Sequence, residues 1–235
     1  MIVERPSASR GQSPSGADGI ERRHSFSCGT YYDPQWTGFG ALRVLNEDRL
    51  APGAGFAPCR RANMEVLTYV LSGALAHRDS SGEERVIRAG SLLWLGAGHG
   101  TQYHDFNASG TEPVHFLQAW LQPDRVNAEP ASASRAATPG EGWQLLASPD
   151  GHDGSIAIRQ DACVYRLELA QGSATVRSLA PSRRYWMHVA AGSARVDGRD
   201  LSAGDGLGFS AGHGPVEFAA ACATPAELLW FDLPG

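Results

Sequence analysis

Two stretches far apart in this chain, Thr68 to Asp79 and Met187 to Gly198, follow one plan: an alternating apolar segment, a glycine turn at Gly73 or Gly192, and a second segment. Downstream, Arg88 to Leu95 and Ser202 to Phe209 match again, each a turn that releases an apolar run. Alternation with period two sends successive side chains to opposite faces of a sheet, so each stretch reads as a hairpin feeding a further strand. An internal duplication of one β unit is the economical explanation.

Other segments of the first half fit the same plan. Glu65 to Leu71, Gly73 to Arg78, Ser91 to Leu95 and Val114 to Leu121 read as strands, separated by turns such as Asp79-Ser80-Ser81-Gly82 and Arg88-Ala89-Gly90. Short strands at close spacing are the pattern of an antiparallel jelly-roll barrel, so the fold class is all-β with two tandem jelly-roll β-barrels. We place a polar N-terminal arm at 1–23, the first barrel at 24–121, a connection rich in Pro, Ala, Ser and Arg at 122–142, and the second barrel at 143–235.

Composition supports this class and removes others. With 28 Gly, 14 Pro and only 19% charged residues in 235, the chain favours turns and strands over helices. A net charge of -5 and a pI near 5.9 give no reason to expect nucleic-acid binding. The first residues lack the apolar core of a secretory signal, and no apolar run approaches the ~18 residues of a membrane span, so a cytoplasmic protein is expected. Cys28, Cys59, Cys163 and Cys222 have neither CxxC spacing nor the density of a disulfide framework. No GxSxG, P-loop or GxGxxG-helix pattern occurs, and His188, His213, Asp150, Asp153 and Asp161 read as isolated or turn residues.

Gly55 to Glu65 has the layout of a first cupin motif, in which two histidines two positions apart precede a glutamate, and Gly98 to Asn107 has that of the second. Longer pieces are more specific: His24-Ser25-Phe26-Ser27, Tyr31-Tyr32-Asp33-Pro34, Gly38 to Val44 and Met64 to Val70. On these the chain resembles the pirin family of bicupins along nearly its whole length. The resemblance implies two cupin domains, a metal site in the N-terminal barrel and none in the C-terminal one. It also implies one of two roles known in the family: iron-dependent, quercetin-cleaving dioxygenase, or transcriptional cofactor. The family's ligands, three histidines and a glutamate, would fall on Cys59, Arg61, Tyr103 and Asp105, none of which is the family's residue, although Gly55, Phe56, Met64, Glu65, Gly98, Gly100 and Asn107 around them match.

The chemistry of those four side chains sets the expectations. An oxygenase iron takes imidazoles and a carboxylate, whereas Cys59 ligates only as thiolate and Tyr103 only once its proton, with a pKa of ~10, is displaced. Arg61 has no lone pair and stays charged, so we expect it to take the cation's place in a bidentate pair with Asp105. His104, one position off register, should point out of the barrel, and His99 should lie in a solvated turn. These two are the candidate rescue ligands. Cys59, flanked by Arg60 and Arg61, is a candidate redox-responsive thiol. Arg61, Glu65, Tyr103, Gln118 and Trp120 are the candidate pocket residues, the last two sharing one face of their strand.

We therefore expect a pirin-like bicupin, monomeric, that binds a small aromatic or anionic molecule or a protein partner without dioxygenase turnover and without a cofactor. The alternative is a quercetin 2,3-dioxygenase-type oxidoreductase holding one first-row metal, iron foremost, through Cys59, His99, Tyr103, His104 and Asp105. A further alternative is a transcriptional regulator acting through protein contacts.

Overall fold

A computed structural model describes residues 2–13, 18–136, 138, 140–210, 212–221 and 225–235, which leaves Cys222 outside the described residues. The chain divides into two compact units. In the N-terminal unit a seven-stranded sheet runs in the order Ala131–Ala136, Ser91–Gly96, Glu65–Ser72, Val114–Leu121, Leu42–Leu50, Ile20–His24, Gly11–Ser13. Its companion four-stranded sheet runs Cys59–Arg61, Thr101–Asn107, Ala74–Asp79, Glu84–Arg88. Two such sheets with their inner faces buried make the jelly roll.

The C-terminal unit repeats this order except at one end, where Ile156–Ala157 pairs parallel with Gly142–Ser148 whereas Gly11–Ser13 pairs antiparallel with Ile20–His24. Its seven-stranded sheet runs Ile2–Arg5, Gly206–Phe209, Arg183–Ala191, Ala226–Pro234, Cys163–Leu169, Gly142–Ser148, Ile156–Ala157, and its four-stranded sheet Ala174–Arg177, Val216–Ala220, Ser193–Val196, Arg199–Ser202. The glycines at the corresponding turns do the same job. Gly73 has φ +75° and a Cβ there would lie 2.5 Å from the Pro113 carbonyl oxygen; Gly192 has φ +72° and a Cβ would lie 2.3 Å from that of Pro225. Only glycine takes that dihedral without strain and lets the hairpin corner close on the neighbouring strand.

Two boundaries differ from the sequence expectation. Residues 1–23 are not a free arm: Gly11–Ser13 and Ile20–His24 extend the first barrel's sheet, and Ile2–Arg5 pairs antiparallel with Gly206–Phe209 in the second. Nor is 122–142 merely a connection, because Ala131–Ala136 pairs antiparallel with Ser91–Gly96 along its full length. Backbone hydrogen bonds, not buried side chains, define the edge strand Ala131–Ala136, which buries none of its residues. The two edge strands, Ile2–Arg5 and Ala131–Ala136, occupy equivalent ends of the two sheets.

The interiors diverge. Trp230 fills the second barrel, with Trp143, Tyr185, Phe209 and Phe218 at ring-centroid distances of 5.2–5.9 Å around it. The first barrel has an apolar plug of Leu50, Val70, Leu75, Ile87, Leu93, Val114 and Phe116 and, further along the same strands, polar side chains. Counted from the equivalent glycines, Thr68 and His77 correspond to Met187 and Val196. Their cross-strand partners, Gln118 and Asp105, then correspond to Trp230 and Phe218. One scaffold thus carries a polar interior in the first copy and an aromatic one in the second.

Candidate functional site

The polar interior opens into a cavity of about 560 Å³ whose lining includes Arg22, Cys28, Phe56, Cys59, Arg61, Tyr103, Asp105, Gln118 and Trp120. Thr101–Asn107 supplies it by alternation: Tyr103 and Asp105 point inward and are buried, whereas Gln102 is exposed and His104 and Phe106 are half-buried. Cys59 lies directly opposite Tyr103 in the register, and Asp105 directly opposite His77.

A chain of hydrogen bonds runs from Asp105 to the cavity wall. His77 Nδ1 donates to Asp105 Oδ1 at 2.6 Å, the carboxylate being acceptor only, and Gln118 Nε2 donates to Asp105 Oδ2 at 3.2 Å. Trp120 Nε1 donates to Gln118 Oε1 at 3.0 Å, which fixes the indole. The Arg61 guanidinium then lies over that ring, its carbon 4.6 Å from the centroid. His77 also stacks on Tyr103 at 5.7 Å, and its buried Nε2 has no hydrogen-bond partner. Burial, reinforced by the negative charge of Asp105 and by Cys59, holds the Tyr103 hydroxyl far above the ordinary tyrosine range, so it stays a phenol.

A second cation borders the cavity but is already satisfied. Arg22 grips the fully buried Asp48 through two hydrogen bonds of 2.5 and 3.1 Å and lies over Phe56 at 4.4 Å. Burial works against its charge, and the Asp48 carboxylate outweighs it. Arg61 has no such carboxylate; its hydrogen bond goes to the carbonyl oxygen of Arg60 at 2.9 Å.

Several sequence expectations need correction here. Arg61 and Asp105 do not pair: the acid's oxygens are taken by His77 and Gln118, and the guanidinium lies on Trp120. Glu65 is buried but does not line the cavity. It falls on the strand face opposite Val66 and Thr68, accepts the Arg159 backbone N–H at 2.6 Å, and is raised in pKa by burial. His99 and His104 lie where their turn and their offset register put them, away from the cavity, so they are not rescue ligands: His99 is exposed, pairs with Glu129 at 3.1 Å and borders an outer groove with Arg60 and Gln102, and His104 lies on the outer face against Phe106, ring centroids 4.8 Å apart. The structure brings together Cys59, Arg61, Tyr103, Asp105, Gln118 and Trp120, and adds His77, Arg22, Cys28 and Phe56, which sequence inspection did not single out. Two of these carried a signal: His77 stands at an inward position of the Gly73 hairpin, and Phe56 lies in the first motif.

Sequence and fold comparisons place this arrangement. The family description Pirin matches residues 5–121, and that of the quercetinase C-terminal cupin domain matches 145–233. The chain is 36% identical over 234 residues to a quercetin 2,3-dioxygenase of Escherichia coli strain K12, with 100% of this chain and 99% of that protein covered. The chain belongs to the pirin family. A pirin-like protein of Caulobacter vibrioides is 34% identical over 194 residues, 81% of this chain and 83% of that protein. The crystal structure of the bacterial pirin YhhW of Escherichia coli in complex with nickel(II) matches with a TM-score of 0.93 at 36% identity, covering 100% of this chain and 99% of that one.

The nickel complex makes the fit of a metal to this pirin a direct question. Among the described residues no three His, Cys, Asp or Glu side chains cluster as a metal site. Of the four side chains at the ligand positions, Arg61 carries positive charge and no lone pair, Tyr103 is held protonated, and Asp105 has both oxygens engaged. Cys59 alone remains as a soft donor, and one thiolate does not make the imidazole and carboxylate set that an oxygenase iron or nickel prefers. The residues present do not fit the group.

Proposed function

We propose that this pirin binds a small organic molecule in the N-terminal cavity and that it does so without metal-dependent dioxygenase turnover. The observation that carries the proposal is Arg61, a permanent cation stacked on Trp120 at the wall where the resemblance places a metal ligand. A guanidinium there repels a metal ion and offers an organic ligand a fixed, charged contact. The cavity volume, about 560 Å³, falls within the range of small-molecule sites, about 300–1,000 Å³. Its lining mixes aromatic walls with a few polar groups held by neighbours, as such sites do.

The test is oxygen uptake with quercetin, run on protein grown with iron, manganese, nickel, copper and zinc and assayed for all five by elemental mass spectrometry. Trace metal and no oxygen uptake agree with the proposal. Near-stoichiometric metal, lost in Cys59→Ala or Asp105→Ala, together with quercetin-dependent oxygen uptake, overturns it.

A further inference from the structure

The charged groups around the cavity are not all partnered, and the exception names the ligand. Arg22 is neutralised by Asp48 through two hydrogen bonds. Asp105 is matched by donors, His77 on one oxygen and Gln118 on the other. Among the described residues, Arg61 alone of the lining charges has no carboxylate partner: its hydrogen bond goes to the Arg60 carbonyl, its ring contact is Trp120, and its Nε is buried without a partner. A guanidinium partly removed from water and lacking a counter-charge is costly, and a ligand that supplies the charge recovers that cost.

We infer that the cavity takes a planar aromatic monoanion, a carboxylate on one or two rings, with its charged end against Arg61 and its rings between Phe56 and Trp120. This rests on the reading of the cavity as a small-molecule site. A carboxylate is planar and accepts two parallel N–H bonds from a guanidinium edge, which a spherical anion cannot do as well. One guanidinium edge without a carboxylate partner calls for one carboxylate. A dianion such as a phosphate monoester would bring its second charge close to the buried Asp105 carboxylate. The Trp120 indole is braced by Gln118, so the guanidinium keeps its plane before the ligand arrives and little ordering is left to do on binding. Phe56 and Tyr103 supply the apolar walls that make the rest of the ligand aromatic rather than sugar-like.

The experiment is calorimetric titration of the full-length protein with naphthalene-2-carboxylate and with its neutral isostere, naphthalene-2-carboxamide. Both are titrated into the wild type, Arg61→Met and Arg61→Lys, with thermal unfolding confirming that each variant is folded. The wild type should bind the carboxylate about ten- to a hundredfold more tightly than the amide. Arg61→Met should abolish that preference and leave the amide within about twofold, and Arg61→Lys should keep only part of it because an ammonium offers no fork. If the wild type binds both probes equally and Arg61→Met changes neither, the inference about charge is wrong while the small-molecule reading stands. If neither probe binds the wild type at millimolar concentration, the reading of the cavity as an aromatic receptacle fails with it.

Discussion

Replacing Asp105 with alanine removes an acceptor that two buried donors share. His77 Nδ1 stands 2.6 Å from one carboxylate oxygen and Gln118 Nε2 3.2 Å from the other. The relative exposures are 2% for Asp105, 2% for His77 and 3% for Gln118, so water does not reach the donors without rearrangement. Each buried donor left unpaired costs about 1–3 kcal/mol, so Asp105→Ala should cost about 2–6 kcal/mol, toward the lower end because Gln118 Nε2 keeps a long bond of 3.4 Å to Thr68 Oγ1. Asp105→Asn keeps the shape, and its amide oxygen still accepts one of the two bonds, so it should cost only about 1–2 kcal/mol. Urea unfolding followed by circular dichroism measures both. A double-mutant cycle with His77→Ala should return a coupling of about 1–3 kcal/mol between positions 77 and 105. Trp120 emission should also shift in Asp105→Ala, since the loosened Gln118 no longer anchors the indole. An alanine variant losing less than about 1 kcal/mol, or an asparagine variant losing as much as the alanine, would refute the idea that this carboxylate organises the interior.

Three further outcomes follow from the same geometry. Tyr103 should remain a phenol in the folded protein well above the ordinary tyrosine value. Its folded pKa is raised, so the stability it contributes is complete below the ordinary tyrosine value of about 10 and falls as pH rises above it. Ultraviolet titration of wild type against Tyr103→Phe, paired with urea midpoints from pH 8 to 11, checks this; a residue that titrates normally near pH 10 contradicts it. Asp48→Ala should destabilise the protein by about 3 kcal/mol because it strands the Arg22 charge against the barrel, and Arg22→Met in the same background should recover part of the loss, both read from urea midpoints. Trp230→Ala should cost about 3–5 kcal/mol by leaving a cavity among Tyr185, Phe209 and Phe218, while titrations of the N-terminal cavity should remain at wild-type affinity.

How far the sequence carried the fold depends on which forces wrote each element. The Gly73 and Gly192 hairpins were legible because alternation, turn chemistry and a glycine-only dihedral all agree there. Ala131–Ala136 was not, since an exposed edge strand is held by backbone hydrogen bonds that leave no hydrophobic period to read. Ile2–Arg5 escaped for a related reason: its partner, Gly206–Phe209, lies at the far end of the chain. At the site, the family resemblance marked Tyr103 and Asp105, and strand alternation put Gln118 and Trp120 on one face. What it did not give was pairing. Asp105 finds His77, its cross-strand neighbour, and that choice depends on a register no local pattern states. Glu65 was grouped with the pocket for its place in a motif, and its own strand's alternation turned it away.

The proposal that Arg61 and its neighbours have replaced a metal centre is tested most directly by calorimetric titration of nickel(II) and, anaerobically, iron(II) into metal-free protein. The wild type is compared with a variant carrying Cys59→His, Arg61→His, Tyr103→His and Asp105→Glu together. The wild type should show no saturable site in the cavity, and the fourfold variant should gain one metal per chain on the same scaffold. Stoichiometric binding by the wild type that disappears in Asp105→Ala would contradict the proposal and make this cavity a metal centre with an unusual set of donors.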